Sequence, residues 1–396
     1  MARENARSNL GEATKGKNDE FYTLYADIQK EVNAYLEYNP DVFRGKTVLL
    51  PCDDPEWSNF TRFFAQNFEN FGLKKLISTS FAHESKNFKG AYQISLFEEE
   101  APQFDESKTT THGKIFTLTR DSNKSGVIDI DDLEWQYLEG DGDFRSDEVK
   151  ALRDEADIII TNPPFSLYRD FIGWIFEKEK KFIIIGNKNS VTFKEVFPLI
   201  MQNKMWSGKT GWGGGMWFET KNPDDVDRVI DGVNMKNVSS VWFTNIEHGR
   251  RHEPLQLMTM ADNLKFSKHK EVKEQGYPKF DNYDAIEVPF TDAIPCDYDG
   301  IMGVPVTFLE KYCPEQFEIL GITLGNTVDY EMTTLYQNAI QHNKNGTTQG
   351  GSKVNTRAAI LVKEIPTDTV YYTADNADGY LISIYPRILI RKRAEK

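Results

Sequence analysis

The chain alternates short unbroken apolar runs with longer stretches in which apolar residues recur every three or four positions. Thr47-Val48-Leu49-Leu50, Ile158-Ile159-Ile160 and Phe182-Ile183-Ile184-Ile185 have no polar interruption, the pattern of strands buried on both faces of a mostly parallel sheet. Leu73 to Ser80 and Trp135 to Leu138 are two further strand-like segments. Between the strands, Tyr25, Ile28, Val32, Tyr35 and Leu36 fall at helical spacing, Ser58-Asn59-Phe60 opens a helix carrying Phe63, Phe64, Asn67 and Phe68, and Leu167 to Phe176 predicts a third helix. Five strands with intervening helices predict an α/β fold on a doubly wound sheet. Residues 81–130 break the pattern, with Gly113 to Leu118 as a hairpin strand, and read as an insertion on the sheet edge. Trp242 and Phe243 fit a late strand of the same sheet.

At 396 residues the chain is long enough for about two domains. No apolar run reaches the ~18 residues of a membrane span, and the polar N-terminal residues 1–18 predict a flexible basic arm rather than a secretory leader. Cys52, Cys296 and Cys313 are too scattered for a disulfide framework or a metal cluster, so a cytoplasmic protein without metal is expected. The net charge of −14 counts against a protein coated in nucleic acid. Phosphate contacts are local, however, and His248 to Lys279 holds seven Lys and Arg against four Asp and Glu.

The chemistry concentrates where the Ile158-Ile159-Ile160 strand stops, at Asn162-Pro163-Pro164-Phe165. Proline fixes its own φ and pushes the preceding residue toward extended geometry, so this loop is stiff and sits at the carboxyl end of a strand, where open α/β sheets bind ligands. The Asn162 amide oxygen and a proline carbonyl are acceptors without competing proline donors, and Phe165 is a flat ring. Together they suit an exocyclic amino group on a base: two accepted hydrogen bonds localise the nitrogen lone pair, and the ring stacks.

No Gly-x-Gly-x-x-Gly occurs, so the first strand and turn are not an ordinary dinucleotide fingerprint. Pro51-Cys52-Asp53-Asp54-Pro55 stands there instead. Gly140-Asp141-Gly142-Asp143-Phe144 fits either a glycine-rich turn with solvated aspartates or a nucleotide rim, with Asp143 accepting from an adenine amino group and Phe144 packing on its ring.

The ordered set Asp19-Glu20-Phe21-Tyr22-Thr23, Cys52-Asp53-Asp54-Pro55 with Ser58-Asn59-Phe60, Gly140 to Ser146, and Asn162-Pro163-Pro164-Phe165-Ser166 resembles the EcoRI-type adenine-N6 DNA methyltransferases. Ile185-Gly186-Asn187 with Asn189-Ser190, Tyr277 to Asp284 and Tyr298 to Pro305 extend the likeness. The resemblance implies a seven-stranded methyltransferase sheet with a reversed last strand, S-adenosylmethionine as cofactor and duplex DNA as substrate. Asn162, Pro163, Pro164 and Phe165 are then the target-adenine clamp. Phe21, Tyr22, Thr23, Cys52, Asp53, Ser58, Asn59, Asp143, Phe144 and Asn162 are the cofactor contacts. Asn189, Ser190, Arg250, Arg251 and Lys279 are candidates for DNA contact, Arg250 and Arg251 at phosphate or at a guanine edge.

Two departures from the family pattern stand out. Ser78-Thr79-Ser80 occupies the place of an acidic ribose ligand, with Glu84 as the nearest acid. Gly321 to Asp378 is extra relative to shorter members, and its polar stretch at about 340–353 reads as a mobile loop or a specificity element. The expected organisation is a catalytic domain over 19–247 and a target-recognition region over 248–396. The expected function is site-specific DNA adenine-N6 methylation by a bacterial or phage-encoded monomer in a restriction-modification or related DNA-protection system, in which any cognate endonuclease forms no stable complex with it. A catalytically idle DNA-binding protein, or a methyltransferase acting on RNA adenine or protein glutamine, is the alternative.

Overall fold

The computed structural model describes residues 22–54, 58–82, 101–220, 222–325 and 331–394. The expected arm over 1–18, Phe21 and Glu84 lie outside the described residues. The chain divides into two compact units, one running to Lys188 and joined by Trp206–Gly249, the other formed by Asn189–Met205 and Arg250–Lys396.

The first unit runs β1 (Tyr22–Thr23), α1 (Tyr25–Tyr38), β2 (Thr47–Leu50), α2 (Asn59–Gln66), α3 (Phe68–Phe71), β3 (Lys75–Ser80), β4 (Lys114–Leu118), β5 (Glu134–Tyr137), α4 (Asp147–Glu155), β6 (Ile158–Thr161), α5 (Tyr168–Phe176) and β7 (Lys181–Asn187). It resumes with β8 (Trp206–Ser207), β9 (Met216–Glu219), β10 (Arg228–Ile230), β11 (Val233–Val238) and β12 (Ser240–Thr244). The large sheet has the order β5-β4-β3-β2-β6-β7-β12-β8. Its centre, β3-β2-β6-β7, is parallel, as the apolar runs predict. β2 and β6 are buried at every position, because β-branched and Leu side chains fill both faces.

Among the described residues the large sheet holds eight strands, one more than the seven that the resemblance implies. Trp135 to Leu138 is not a parallel member: β5 pairs antiparallel with β4, and β4 antiparallel with β3. Its residues alternate between exposed and half-buried, which is an edge strand's environment. β12 runs antiparallel to β7, the reversed strand that the resemblance implies. A smaller sheet, β1-β9-β11-β10, completes the unit.

The second unit carries α6 (Phe197–Met201), α7 (Met260–Phe266), α8 (Lys270–Gln275), β13 (Ile286–Glu287), β14 (Met302–Pro305), β15 (Phe317–Ile322), β16 (Ile340–His342), β17 (Thr348–Gly350), β18 (Ala359–Val362), β19 (Tyr371–Thr373), β20 (Tyr380–Ser383) and β21 (Arg387–Lys392). One sheet is β13-β14-β21-β15, and the other, β17-β16-β19-β20-β18, is inserted between β15 and β21. The stretch expected as a mobile loop at about 340–353 is instead a β-hairpin, Ile340 to His342 pairing with Gly350 to Thr348 around a turn with Gly346 at φ 79°. Its polarity suits strands held by ladder hydrogen bonds on an exposed sheet, where burial is not required.

Gly186, near the end of β7, abuts the Tyr168 ring: a Cβ there would stand 2.5 Å from ring carbon. Gly186→Ala is expected to lower stability by about 1–3 kcal/mol through overpacking. Urea unfolding checks this, as a lower midpoint at unchanged slope.

Candidate active site

Three parallel strands, β3, β2 and β6, end side by side at one edge of the large sheet, β3 in Ser80 and β6 in Thr161. After β2 the chain reverses at Cys52, whose φ of 68° is a left-handed conformation that usually selects glycine. The Cys52 N–H donates to Thr79 Oγ1 of β3 at 3.3 Å. The reversal turns Asp53 inward, leaving it 7% exposed. Its Oδ1 accepts from the Ser58 hydroxyl at 2.7 Å, while its main-chain carbonyl accepts from the Thr61 hydroxyl at 3.2 Å and from the Ser78 hydroxyl. Ser58 in turn caps α2 by accepting from the Phe60 N–H at 3.1 Å.

Thr161, the last residue of β6, lies 2.5 Å from Asp53 Oδ2 and 2.6 Å from the Pro51 carbonyl. One hydroxyl proton faces two acceptors, so a protonated Asp53 satisfies the group better, donating to Thr161 while Thr161 donates to Pro51. Burial pushes the Asp53 carboxyl up to about 7, against the Thr161 and Ser58 hydrogen bonds, which pull it down. Thr161 was not among the sequence candidates, although a polar residue ending an isoleucine run was a visible signal. Ser78 and Thr79 hold the β2 turn, a use for the place where an acidic ribose ligand was expected.

β1 adds a further polar wall. The Asn59 side-chain amide donates to the Thr23 carbonyl at 2.8 Å, so the start of α2 holds β1. Thr23 is 4% exposed, and its Oγ1 is buried with no hydrogen-bond partner among the described residues. Tyr22 is half-buried beside it.

The Asn162 loop follows Thr161 directly. Asn162 is half-buried with Oδ1 buried, Pro163 is buried, and Pro164 and Phe165 are half-buried. The Pro164 carbonyl accepts from the Leu167 N–H at 3.0 Å, closing a single 3-10 turn over Phe165–Leu167 that leads into α5. The Phe165 ring lies edge-on to Phe218 of β9, centroids 6.5 Å apart and planes at 79°. Phe218 pairs across the ladder with Thr23, so the small sheet joins the β1 segment to the Asn162 loop.

Beyond β3, the Ala82 N–H donates to the Asp141 carbonyl at 2.8 Å, and Gly142, at φ 83°, would place a Cβ 2.3 Å from the Ser80 carbonyl. Only glycine permits this approach, which sets Asp143 beside the end of β3. Asp143 accepts two bonds from the Arg145 guanidinium, at 2.9 and 2.6 Å, and that pairing holds its carboxyl below the usual range. Phe144 is 2% exposed and packs on Phe171 and Trp174 at 5.1 and 5.8 Å, so its ring serves the α5 packing.

The five residues expected to meet DNA all lie in the second unit. Asn189 and Lys279 are exposed, Lys279 pairing with Asp284 at 2.7 Å. Ser190 is fully buried. Arg250 pairs with Glu310 at 2.8 Å, and Arg251 is 4% exposed, bonded to the Asn203 side chain and stacked over the Tyr312 ring at 5.9 Å. Both arginines therefore have partners within the unit, and Arg251 is placed inside it rather than on its surface.

No helix among the described residues is long and apolar enough to cross a membrane, and no group of three metal-ligating side chains is found among them. The family model for the adenine-specific methyltransferase EcoRI matches residues 9–365. The chain is 39% identical over 331 residues to the Type II methyltransferase M.EcoRI of Escherichia coli, covering 82% of this chain and 92% of that protein. It is 35% identical over 334 residues to the Type II methyltransferase M.MpnI of Mycoplasma pneumoniae, covering 82% and 89%. It is also 34% identical over 315 residues to M.MgeORF184P of Mycoplasma genitalium, covering 78% and 84%. No solved structure is significantly similar to the chain. A buried carboxylate, an Asn-Pro-Pro-Phe loop at a sheet edge and likeness along most of its length agree: the chain belongs to the EcoRI family of adenine-specific methyltransferases.

Proposed function

We propose that this enzyme is a site-specific DNA methyltransferase that modifies N6 of an adenine flipped out of duplex DNA, as the methylating partner in a restriction-modification system. The observation that carries the reading is the juxtaposition of Asn162 to Phe165 with the Asp53–Thr161 pair at the ends of adjacent strands. The Type II names of the relatives support DNA as substrate and a restriction setting. On this reading β4-β3-β2-β6-β7-β12-β8 corresponds to the seven-stranded methyltransferase sheet, and β5 is an added edge strand. The enzyme acts as a monomer, without a stable complex with the endonuclease.

The fit to S-adenosylmethionine rests on Asp53 and Thr23. A buried carboxyl poised near 7 gains its charge beside a cation, and the Thr23 hydroxyl lacks a partner until a polar ligand reaches it. When bound, the cofactor supplies an electrophilic methyl group. Asn162 Oδ1 and the Pro163 carbonyl accept the two N–H bonds of the adenine amino group and localise its lone pair, while Phe165 stacks on the base. Flipping the base costs a few kcal/mol, which the stack and the two hydrogen bonds offset. Tyr22, Cys52, Ser58, Asn59 and Asp143 frame the cofactor side. Asn189 and Lys279 are the exposed DNA candidates, and Ser190, Arg250 and Arg251 support them from within the second unit.

Tritium transfer from labelled S-adenosylmethionine to genomic DNA free of adenine methylation should yield N6-methyladenine; no label on any such DNA sinks the reading. Asn162→Ala should lower the rate by at least a hundredfold (~3 kcal/mol) while cofactor affinity stays within a few-fold.

Asp53 gives a pH signature. Its carboxyl titrates near 3.8 unfolded and about 7 folded, so its contribution favours the folded state at low pH and is lost as pH rises from about 4 to 7. Asp53→Asn should therefore gain stability relative to the parent across that window; parallel urea-unfolding profiles at pH 5 and pH 8 would refute the assignment. A cation that binds only ionised Asp53 should bind about fivefold more weakly at pH 6 than at pH 7 and release a proton, which calorimetry in two buffers measures.

A further inference from the structure

The apolar stripe of α1 contains an acid. Glu31 lies among Ile28, Val32 and Tyr35 and is fully buried. A buried carboxylate is costly unless its lone pairs are met. Here they are: Oε1 accepts from the Tyr35 hydroxyl at 2.7 Å and the Lys209 N–H at 2.8 Å, and Oε2 from the Thr210 N–H at 2.8 Å and the Thr210 hydroxyl at 2.7 Å. Three of the four donors belong to two residues that begin the loop after β8. Gly208 precedes them, and a Cβ on it would stand 2.1 Å from Oε1, so the approach requires glycine.

That loop belongs to the catalytic edge. β12 is antiparallel to both β7 and β8, so β8 leaves the sheet at the same edge as Asn162. Lys188, just past β7, donates to the Trp212 carbonyl. Two residues in left-handed conformations, Gly214 and Gly215, then turn the chain into β9, where Phe218 meets the Phe165 ring. The loop is thus pinned by Glu31 at its start, by Lys188 at its middle and by the catalytic aromatic at its end. Sheet order puts it on the β7–β8 side of Asn162, while Asp53 and Asp143 stand on the β2–β3 side.

We propose that Glu31 is a positioning residue for methyl transfer: through Lys209 and Thr210 it fixes the Gly208–Gly215 loop as the wall on the target-adenine side of the Asn162 loop. This rests on the adenine-methyltransferase reading above. Because the loop stands on the other side of Asn162 from Asp53 and Asp143, and reaches Thr23 only through the β9 ladder, loosening it should affect the reaction and leave cofactor binding in place, whereas a purely structural role would degrade both together.

Glu31→Gln keeps the volume but turns a donor toward the Thr210 N–H, and Thr210→Val removes one donor while leaving the carboxylate. In the tritium-transfer assay on genomic DNA, Glu31→Gln should lower kcat at least tenfold and Thr210→Val at least threefold, with the S-adenosylmethionine Kd by calorimetry within twofold of the parent. Unchanged kcat in Thr210→Val overturns the proposal, as does a loss of cofactor affinity in proportion to kcat in either variant. If Glu31→Gln fails to fold, Thr210→Val decides alone. The parent run alongside separates the two readings, since absence of transfer by the parent refutes the methyltransferase function itself.

Discussion

One buried carboxyl group gathers the working edge of the large sheet. Asp53 draws in the Ser58 hydroxyl at the start of α2 and the Thr161 hydroxyl at the end of β6, while its main-chain carbonyl takes hydroxyls from Thr61 and from Ser78 of β3. Three strand ends and a helix start therefore converge on one residue. Parallel strands place their carboxyl ends together but do not fix the loops that leave them; here short polar side chains do so, each bonded to a neighbour from a different element. The register of Asn162, one residue beyond Thr161, is inherited from that network.

A glycine-rich first turn lets backbone approach a nucleotide closely. This chain's first turn has no such glycine. Cys52 occupies the left-handed conformation, and the N–H it exposes is met by Thr79. The close approach is made on the far side of β3 instead, where Gly113 and Gly142 both crowd the Ser80 carbonyl. The crowding fixes the Asp143 loop on the strand end without a long side chain reaching across.

The parallel centre of the fold was legible because β2, β6 and β7 are buried on both faces and have no alternative use for their isoleucines and leucines. The Asn162 loop was legible because two prolines after such a strand leave few conformations. The edge of the sheet was not: Trp135 and Tyr137 belong to a half-buried antiparallel strand, and aromatic content alone does not give direction. The hairpin at Ile340 to Gly350 was read as a loop since its ladder hydrogen bonds are main-chain and leave no mark in side-chain polarity. Arg251 looked like a surface cation, and only packing reveals that Asn203 and Tyr312 enclose it. Glu31 was hidden by the same rule that made α1 visible, because an apolar stripe with one acid still reads as an apolar stripe.

Asp53 and Glu31 solve the problem of a buried acid in opposite ways, and the difference follows from their donors. Glu31 has four donors, two of them main-chain N–H groups that cannot turn away, so both of its oxygens are fully partnered. Burial raises the Asp53 carboxyl to about 7, and its two hydroxyl partners, one of which also serves the Pro51 carbonyl, do not offset it. A saturated acid holds the loop that supplies its donors. An under-supplied one is left with capacity for a cation, and it is the under-supplied acid that stands at the carboxyl ends of the parallel strands.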